Sequence, residues 1–323
     1  MNMPWIPVFM KTARSLMGFR RAAILIALGL TPAWFFPAVT WQKTFASGSM
    51  SLDMQTSYLA GYFVLITFLW TTGFFLSYLL VGSSGLGMIS SEEDRGTLLI
   101  MLSKPISRTQ LLLGKYLALV VTTLVYELAI LFGSITILSI MLNLDQQVVN
   151  ELIGMVPAVM VYTVLLALLF AALSVLLSGV IRSGPVRGAV FVALLLYVFA
   201  AGPVMRLAWQ DTYEQYRVHY VDAGYNMGNA YLTLLGGAES DLMTPQGQAW
   251  FGITTGTFSG GPGVLLSTFL GSPADFDPDL RAAPPFLERT EHIPWYVSLI
   301  LILGVAAAAL YAANQSLLKR EIQ

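Results

Sequence analysis

The run SSEEDRGTLLIMLSKPISRTQLLLGKY, from Ser90 to Tyr116, gathers the densest group of reactive side chains in a 323-residue chain that is otherwise 56% hydrophobic. Glu92 and Glu93 are adjacent carboxylates followed by Asp94 and Arg95, a group that could serve acid–base chemistry or sit at a helix N-terminus. Gly114 and Lys115 come nearest to a phosphate-cradling G-x-x-x-x-G-K-[ST] loop. Thr109 stands where its first glycine belongs, and Tyr116 where its serine or threonine is needed. The chain therefore lacks a phosphate loop, and ATP hydrolysis is expected from another polypeptide. Glu127 is an ionisable residue inside a long apolar run, the kind of group that marks an ion or proton path. The two histidines, His219 and His292, lie outside such runs, which excludes histidine chemistry within a bilayer. There is no cysteine, so disulfides, thiolate metal sites and cysteine nucleophiles are excluded together. The 14 methionines are scattered along the chain, as packing residues are.

These residues must be positioned by elements suited to lipid. Only 11% of the residues are charged, against roughly 25% in an average soluble domain. A net charge of -1 gives no basic field, so no nucleic-acid partner is expected and the lipid bilayer is the relevant neighbour. A membrane-crossing helix needs about 20 mostly apolar residues. Six stretches qualify: Ala22 to Gln42, Met54 to Ser91, Tyr116 to Leu144, Leu152 to Ile181, Gly188 to Met205 and Ile293 to Leu318. The expected fold class is an all-α integral membrane protein with six transmembrane helices.

Lysine and arginine accumulate in cytoplasmic loops, so their distribution gives the direction. Lys11, Arg14, Arg20 and Arg21 precede the first span, and Arg95, Lys104, Arg108 and Lys115 follow the second. Arg182 and Arg187 follow the fourth, and Lys319 and Arg320 the sixth. The short loops on the opposite side hold only Lys43. Both termini are expected in the cytoplasm, with the first span retained as an anchor rather than cleaved as a signal peptide. The domain organisation that follows has three parts. Residues 1–205 form an interfacial helix, five spans and a cytoplasmic coupling helix at about 89–110; residues 206–292 form a large external segment; residues 293–323 form the sixth span and a tail.

The external segment carries ten acids against four arginines and reads as the one soluble domain. Trp209, Tyr213, Tyr216 and Tyr220, spaced by four, three and four, predict one face of a helix. That face suits an interfacial aromatic belt, or contact with cargo.

Between the second and third spans the residues predict a helix that leaves the membrane, breaks and re-enters. Ser90 with Glu93 and Ser91 with Asp94 fit the capping spacing. Gly96 interrupts, Thr97 can cap a short apolar helix LLIML, Lys104 and Pro105 end it, and Ser107 caps the next helix. Leucines on more than one face of so short a helix are poorly stabilised by water, so it needs a partner surface.

This run resembles the signature of ABC-2-type export permeases, in which a glutamate, Gly-Thr-Leu, a leucine-rich turn, Pro with a following Ser-Arg, and Leu-Gly-Lys recur in order. The matching positions are Glu92, Gly96, Thr97, Leu98, Leu102, Pro105, Ser107, Arg108, Leu113, Gly114 and Lys115. The closest similarity is to permease subunits of transporters for nitrous-oxide-reductase and multicopper-enzyme maturation. The N-terminal stretch PWIPVFMKTARSLMGFRR resembles that family's amphipathic connecting helix, with Lys11 and Arg14 toward lipid phosphates and Trp5, Val8 and Phe9 in the interface. Thr12 departs from the family's usual acid after the lysine. SGVIRSGPVRG resembles its second cytoplasmic loop, where Gly184 and Pro185 force a turn.

The resemblance implies a non-enzymatic permease subunit of an exporter in the plasma or inner cell membrane. It pairs with a second permease copy or homologue and with separate cytoplasmic ABC ATPase subunits, which bind ATP and magnesium; this chain holds no cofactor or metal. Glu92, Gly96, Thr97, Leu98, Leu102, Pro105, Ser107 and Arg108 would couple it to the ATPase. Two rivals belong to other classes. A secondary transporter or channel would use Glu127. An intramembrane protease of the CAAX-processing kind would use Glu92 and Glu93, but it needs membrane histidines, and arginine three residues after the second glutamate, where Gly96 stands.

Overall fold

The computed structural model describes residues 5–36, 52–90, 106–236, 245–258 and 287–319. Among them the secondary structure is helical, apart from one antiparallel bridge between Phe258 and Arg289. Among the described residues five helices are long and apolar enough to cross a membrane: Gln55–Ser77, Arg108–Leu142, Gln146–Val180, Gly184–Arg206 and Trp295–Lys319.

The chain enters through α1 (Ile6–Leu16), α2 (Phe19–Gly29) and α3 (Thr31–Phe36). The last two run on through Leu30, whose amide donates to Ile26 and whose carbonyl accepts from Trp34. The expected first span, Ala22 to Gln42, is described as far as residue 36.

The second span was expected as one long α-helix and is found otherwise. α4 (Leu52–Leu65) passes into a π-helical stretch, Ile66–Gly82, and a short helical turn, Ser83–Gly85. Threonine hydroxyls compete here for the carbonyls that an α-helix would use. Thr67 Oγ1 donates to Phe63 O at 2.7 Å, and Thr71 Oγ1 lies 3.4 Å from the carbonyls of Ile66 and Thr67.

α5 (Arg108–Leu142) and α6 (Gln146–Val180) form a hairpin of two 35-residue helices. At about 1.5 Å per residue each is roughly 50 Å long, well beyond a hydrocarbon core of about 30 Å. The turn between them is set by Asn143 in the left-handed region (φ 50°) and by Asp145, whose Oδ1 accepts from Gln147 N at 2.8 Å. α6 is central and packs against α5, the π-helical stretch and the last helix.

α7 (Gly184–Leu196) continues through a π turn, Tyr197–Ala201, into α8 (Gly202–Ala208). Gly184 and Pro185 start α7 rather than only turning the chain, because proline suits a first helical turn. α9 (Gln210–Gln215), a 3-10 turn (Val218–Tyr220), α10 (Ala223–Leu234) and α11 (Pro245–Thr255) follow. α10 is buried along most of its length and packs on α6 and on α12 (Trp295–Lys319), so this part of the segment after residue 206 is built into the bundle. α12 buries Ser298, Ile302, Ala306, Ala309, Ala313 and Leu317, whose spacing of three and four defines one face. Ile300, Leu303, Val305 and Tyr311 are exposed on its other side, as in a helix bathed by lipid.

Candidate functional site

Six of the expected coupling residues, Glu92, Gly96, Thr97, Leu98, Leu102 and Pro105, lie outside the described residues. Ser107 and Arg108 lie within them, and so do both ends of the segment. At its entry, the amides of Ile89 and Ser90 donate to Ser178 Oγ near the end of α6, at 3.1 and 3.4 Å. Lys115 Nζ donates to Met88 O at 2.6 Å, and this lysine is only 1% exposed. At its exit, Ser107 caps α5 in a reciprocal box: Gln110 N donates to Ser107 Oγ at 3.2 Å, and Ser107 N to Gln110 Oε1 at 3.0 Å.

The neighbouring helix end joins the same cluster. Arg108 Nη1 donates to the carbonyls of Leu317 at 3.0 Å and Leu318 at 3.2 Å. The last carbonyls of a helix have no intrahelical donor and carry partial negative charge, so a guanidinium satisfies both needs. Thr109 Oγ1 donates to Asn314 Oδ1 at 3.0 Å, and Ser316 Oγ to Gly179 O at 2.8 Å. The start of α5, the end of α6 and the end of α12 are thus tied together where the segment leaves and returns. Arg187 adds a stay across the adjacent loop, donating to Ile181 O at 3.0 Å.

α1 rests on this assembly more closely than its amphipathic pattern implied. Val8 was expected in the lipid interface; it is buried on Gly114, where a Cβ would lie 3.2 Å from Val8 Cβ and 3.0 Å from Trp5 O. The glycine permits this close approach, and lipid contact falls to the other faces of α1, where Lys11 and Arg14 are exposed. Tyr126 Oη donates to Leu16 O at 3.0 Å and fixes the end of α1.

Glu127 lies midway along α5, fully buried at 0% exposure. Thr72 Oγ1, on the π-helical stretch, donates to its Oε1 at 3.3 Å. Its Oε2 has no hydrogen-bond partner among the described residues.

In the segment after α8 the aromatic face is corrected. The chain breaks after α9 because Arg217 adopts the left-handed region (φ 50°), so the four aromatics do not share one helix. Trp209, Tyr216 and Tyr220 are exposed, while Tyr213 turns inward and donates to Asp222 Oδ2 at 2.9 Å. Burial, and then the Asp222 carboxylate, push the Tyr213 hydroxyl well above the usual tyrosine range. Asp222 also forms an ion pair with Arg206 and caps α10 by accepting from Tyr225 N at 3.0 Å. Arg206 Nη2 donates to Thr254 O at 2.6 Å, which joins α8, α10 and α11.

His219 and His292 stack with ring centroids 5.2 Å apart and planes inclined by 12°. His292 N donates to Tyr225 Oη at 2.9 Å, and Asn226 Nδ2 donates to His219 O at 2.9 Å. Arg289 Nη2 reaches Asn229 Oδ1 at 3.0 Å and Thr233 Oγ1 at 2.7 Å, so α10 clasps the strand of chain that leads into α12. Both imidazoles are held below the ordinary histidine value. The main cause for each is burial, reinforced for His219 by His292 and Arg217 and for His292 by Arg206; Asp222 and Glu214 oppose it.

Sequence reasoning missed Ser178, Thr72 and the histidine pair. A serine near a helix end carries no local signal, and residues 219 and 292 meet only through the fold.

A family model described as ABC-2 family transporter protein matches residues 38–257. No curated protein matches the chain.

Proposed function

The chain belongs to the ABC-2 transporter family, and from that premise we propose that it is the membrane-spanning permease subunit of an ATP-binding-cassette exporter. It is a multi-pass membrane protein of six spans with both termini in the cytoplasm, residing in the plasma or inner cell membrane. It carries no enzymatic activity or cofactor. Separate cytoplasmic ATPase subunits bind ATP and magnesium, and a second copy or homologue completes the translocation unit. Within the family, the sequence from Glu92 to Lys115 favours the permeases of nitrous-oxide-reductase and multicopper-enzyme maturation.

The observation that best supports this reading is the anchoring of the segment between Ser90 and Ile106 at both ends. Its entry is tied to α6 through Ser178 and its exit to α12 through Arg108. A load applied to the segment by an ATPase subunit therefore reaches three spans at once. The apolar run from Leu98 to Leu102 provides the contact, and Glu92 the charged entry. Closure of the ATPase subunits on ATP pushes this segment, and the spans tied to it move together.

The test is affinity purification in mild detergent. An ATPase of another polypeptide should accompany the chain, and hydrolysis should follow that subunit. Stoichiometric ATP hydrolysis by this polypeptide alone would sink the reading.

A further inference from the structure

Where the π-helical stretch packs against α5, the bundle buries a row of polar side chains that its own stability does not require. On the stretch these are Thr67, Thr72 and Ser77, at intervals of five, which fall on one side where hydrogen bonds run from i to i+5. On α5 they are Thr123, Glu127 and Ser134, at intervals of four and seven, again one face. Thr72 and Glu127 meet directly. Because the two elements run antiparallel, Ser77 and Thr123 lie toward one end of the row and Thr67 and Ser134 toward the other. Thr67 adds a hydrogen bond to the Tyr231 hydroxyl on α10. From Thr123 to Ser134 the row covers roughly 16 Å at about 1.5 Å per residue, about half of a hydrocarbon core.

Several of these atoms have nothing to bind. Glu127 Oε2, Ser77 Oγ and Ser134 Oγ are buried with no hydrogen-bond partner among the described residues. The ion pairs found there, Arg206 with Asp222 and Arg289 with Glu291, are both on the external side and leave Glu127 without a counter-charge. One flank of the row is closed by an apolar wall of Leu25, Phe75, Leu76, Tyr126 and Ile130. Valine or alanine would fill the same space without leaving buried oxygens unsatisfied.

We propose that this row is a binding site for one positive charge, borne by an inorganic monovalent cation or by the ammonium group of a cargo molecule. Glu127 Oε2 and the hydroxyl oxygens of Thr72 and Ser77 supply the ligating atoms. Carboxylate and hydroxyl oxygens are hard donors suited to hard cations and to ammonium protons. One carboxylate balances one charge, and an anion is repelled. The ligand enters as the π-helical stretch and α5 part during the cycle, a motion that rests on the permease reading above.

The absence of cysteine makes the test clean, because each introduced thiol is alone in the chain. Ser77→Cys and Ser134→Cys are made singly, with Glu127 intact and with Glu127→Gln, and treated in membranes with cationic or anionic methanethiosulfonate, with and without ATP. The cationic reagent should react about tenfold faster or more, the scale on which a buried charge focuses counter-ions, and Glu127→Gln should abolish the preference. At an ionic strength held constant with tetraethylammonium chloride, slowing of the cationic reagent by sodium identifies an inorganic ion; slowing by ethanolamine alone identifies an ammonium-bearing cargo. Protection by neither, equal rates for both reagents, or thiols silent in every nucleotide state would overturn the site. Co-purification of the ATPase is scored separately and decides only the permease reading.

Discussion

Arg108, the first residue of α5, is bonded through Nη1 to the carbonyl of Leu317, one of the last residues of α12, at 3.0 Å across 209 positions of sequence. The bond makes the start of α5 and the end of α12 one mechanical unit. A hydrogen bond from a charged donor contributes about 1.5–3 kcal/mol when well desolvated, and the partial exposure of this one places it toward the lower end. Arg108→Met should keep the length and remove the donors. Hydrogen exchange of the amides at 314–319 should accelerate, and ATP turnover by the assembled complex should lose its dependence on transport. Unchanged exchange in that stretch would refute the link.

Gly114 gives a second prediction. A side chain there meets Trp5 O and Val8, both on or beside α1. Gly114→Leu should lift α1 from α5, at a cost of about 1–3 kcal/mol for overpacking. Limited proteolysis at the Met17–Gly18 junction should become faster, with α5 and α6 still inserted. Gly114→Ala should show a smaller effect in the same direction.

The histidine pair predicts a pH dependence. Both imidazoles are held below 6.5 in the folded protein, so between that folded value and 6.5 the unfolded chain binds more protons than the folded one. Stability is then complete above about pH 6.5 and falls as the pH drops below it, until the folded-state values are passed. The charged groups around the pair are Arg217, Asp222, Arg206 and Glu214, with Tyr213, Tyr220 and Tyr225 as ring neighbours. Thermal unfolding in detergent should move to lower temperature between about pH 7 and about pH 5.5, and His219→Phe should flatten that dependence. An equal drop in the His219→Phe variant would remove the pair as its source.

Five of the expected spans were legible because lipid imposes one demand, a long apolar stretch, and α5 and α6 each contain one. The cap at Ser107 was legible because its partner, Gln110, is only three residues away. The π-helical stretch was not, since period-based reasoning assumes the α-helical hydrogen bond that Thr67 and Thr71 compete for. Nor was the break at Arg217, which left the spacing of Trp209, Tyr213, Tyr216 and Tyr220 helical while the backbone was not. Ser178, Arg108 with Leu317, and His219 with His292 are contacts across tens to hundreds of residues, and no local pattern records them.

The last prediction concerns the contact with the ATPase and separates the permease from its rivals. In the permease reading Leu98 and Leu102 act by packing on a separate subunit, so a charge there should break assembly and leave the spans intact. Removing an anchor from the centre of such a contact costs about 2 kcal/mol or more, roughly thirtyfold in affinity. Leu98→Asp or Leu102→Asp should therefore strip the ATPase from the membrane, measured as the ratio of the two polypeptides after purification. Glu92→Gln changes one charge and little shape, so it should weaken the coupling of ATP turnover to transport more than assembly. A channel running past Glu127 would conduct through all three changes. A protease would lose everything with Glu92 and tolerate both leucine substitutions. Retention of the ATPase at wild-type stoichiometry in the two aspartate variants would mean that the segment after Ser90 is not the coupling element.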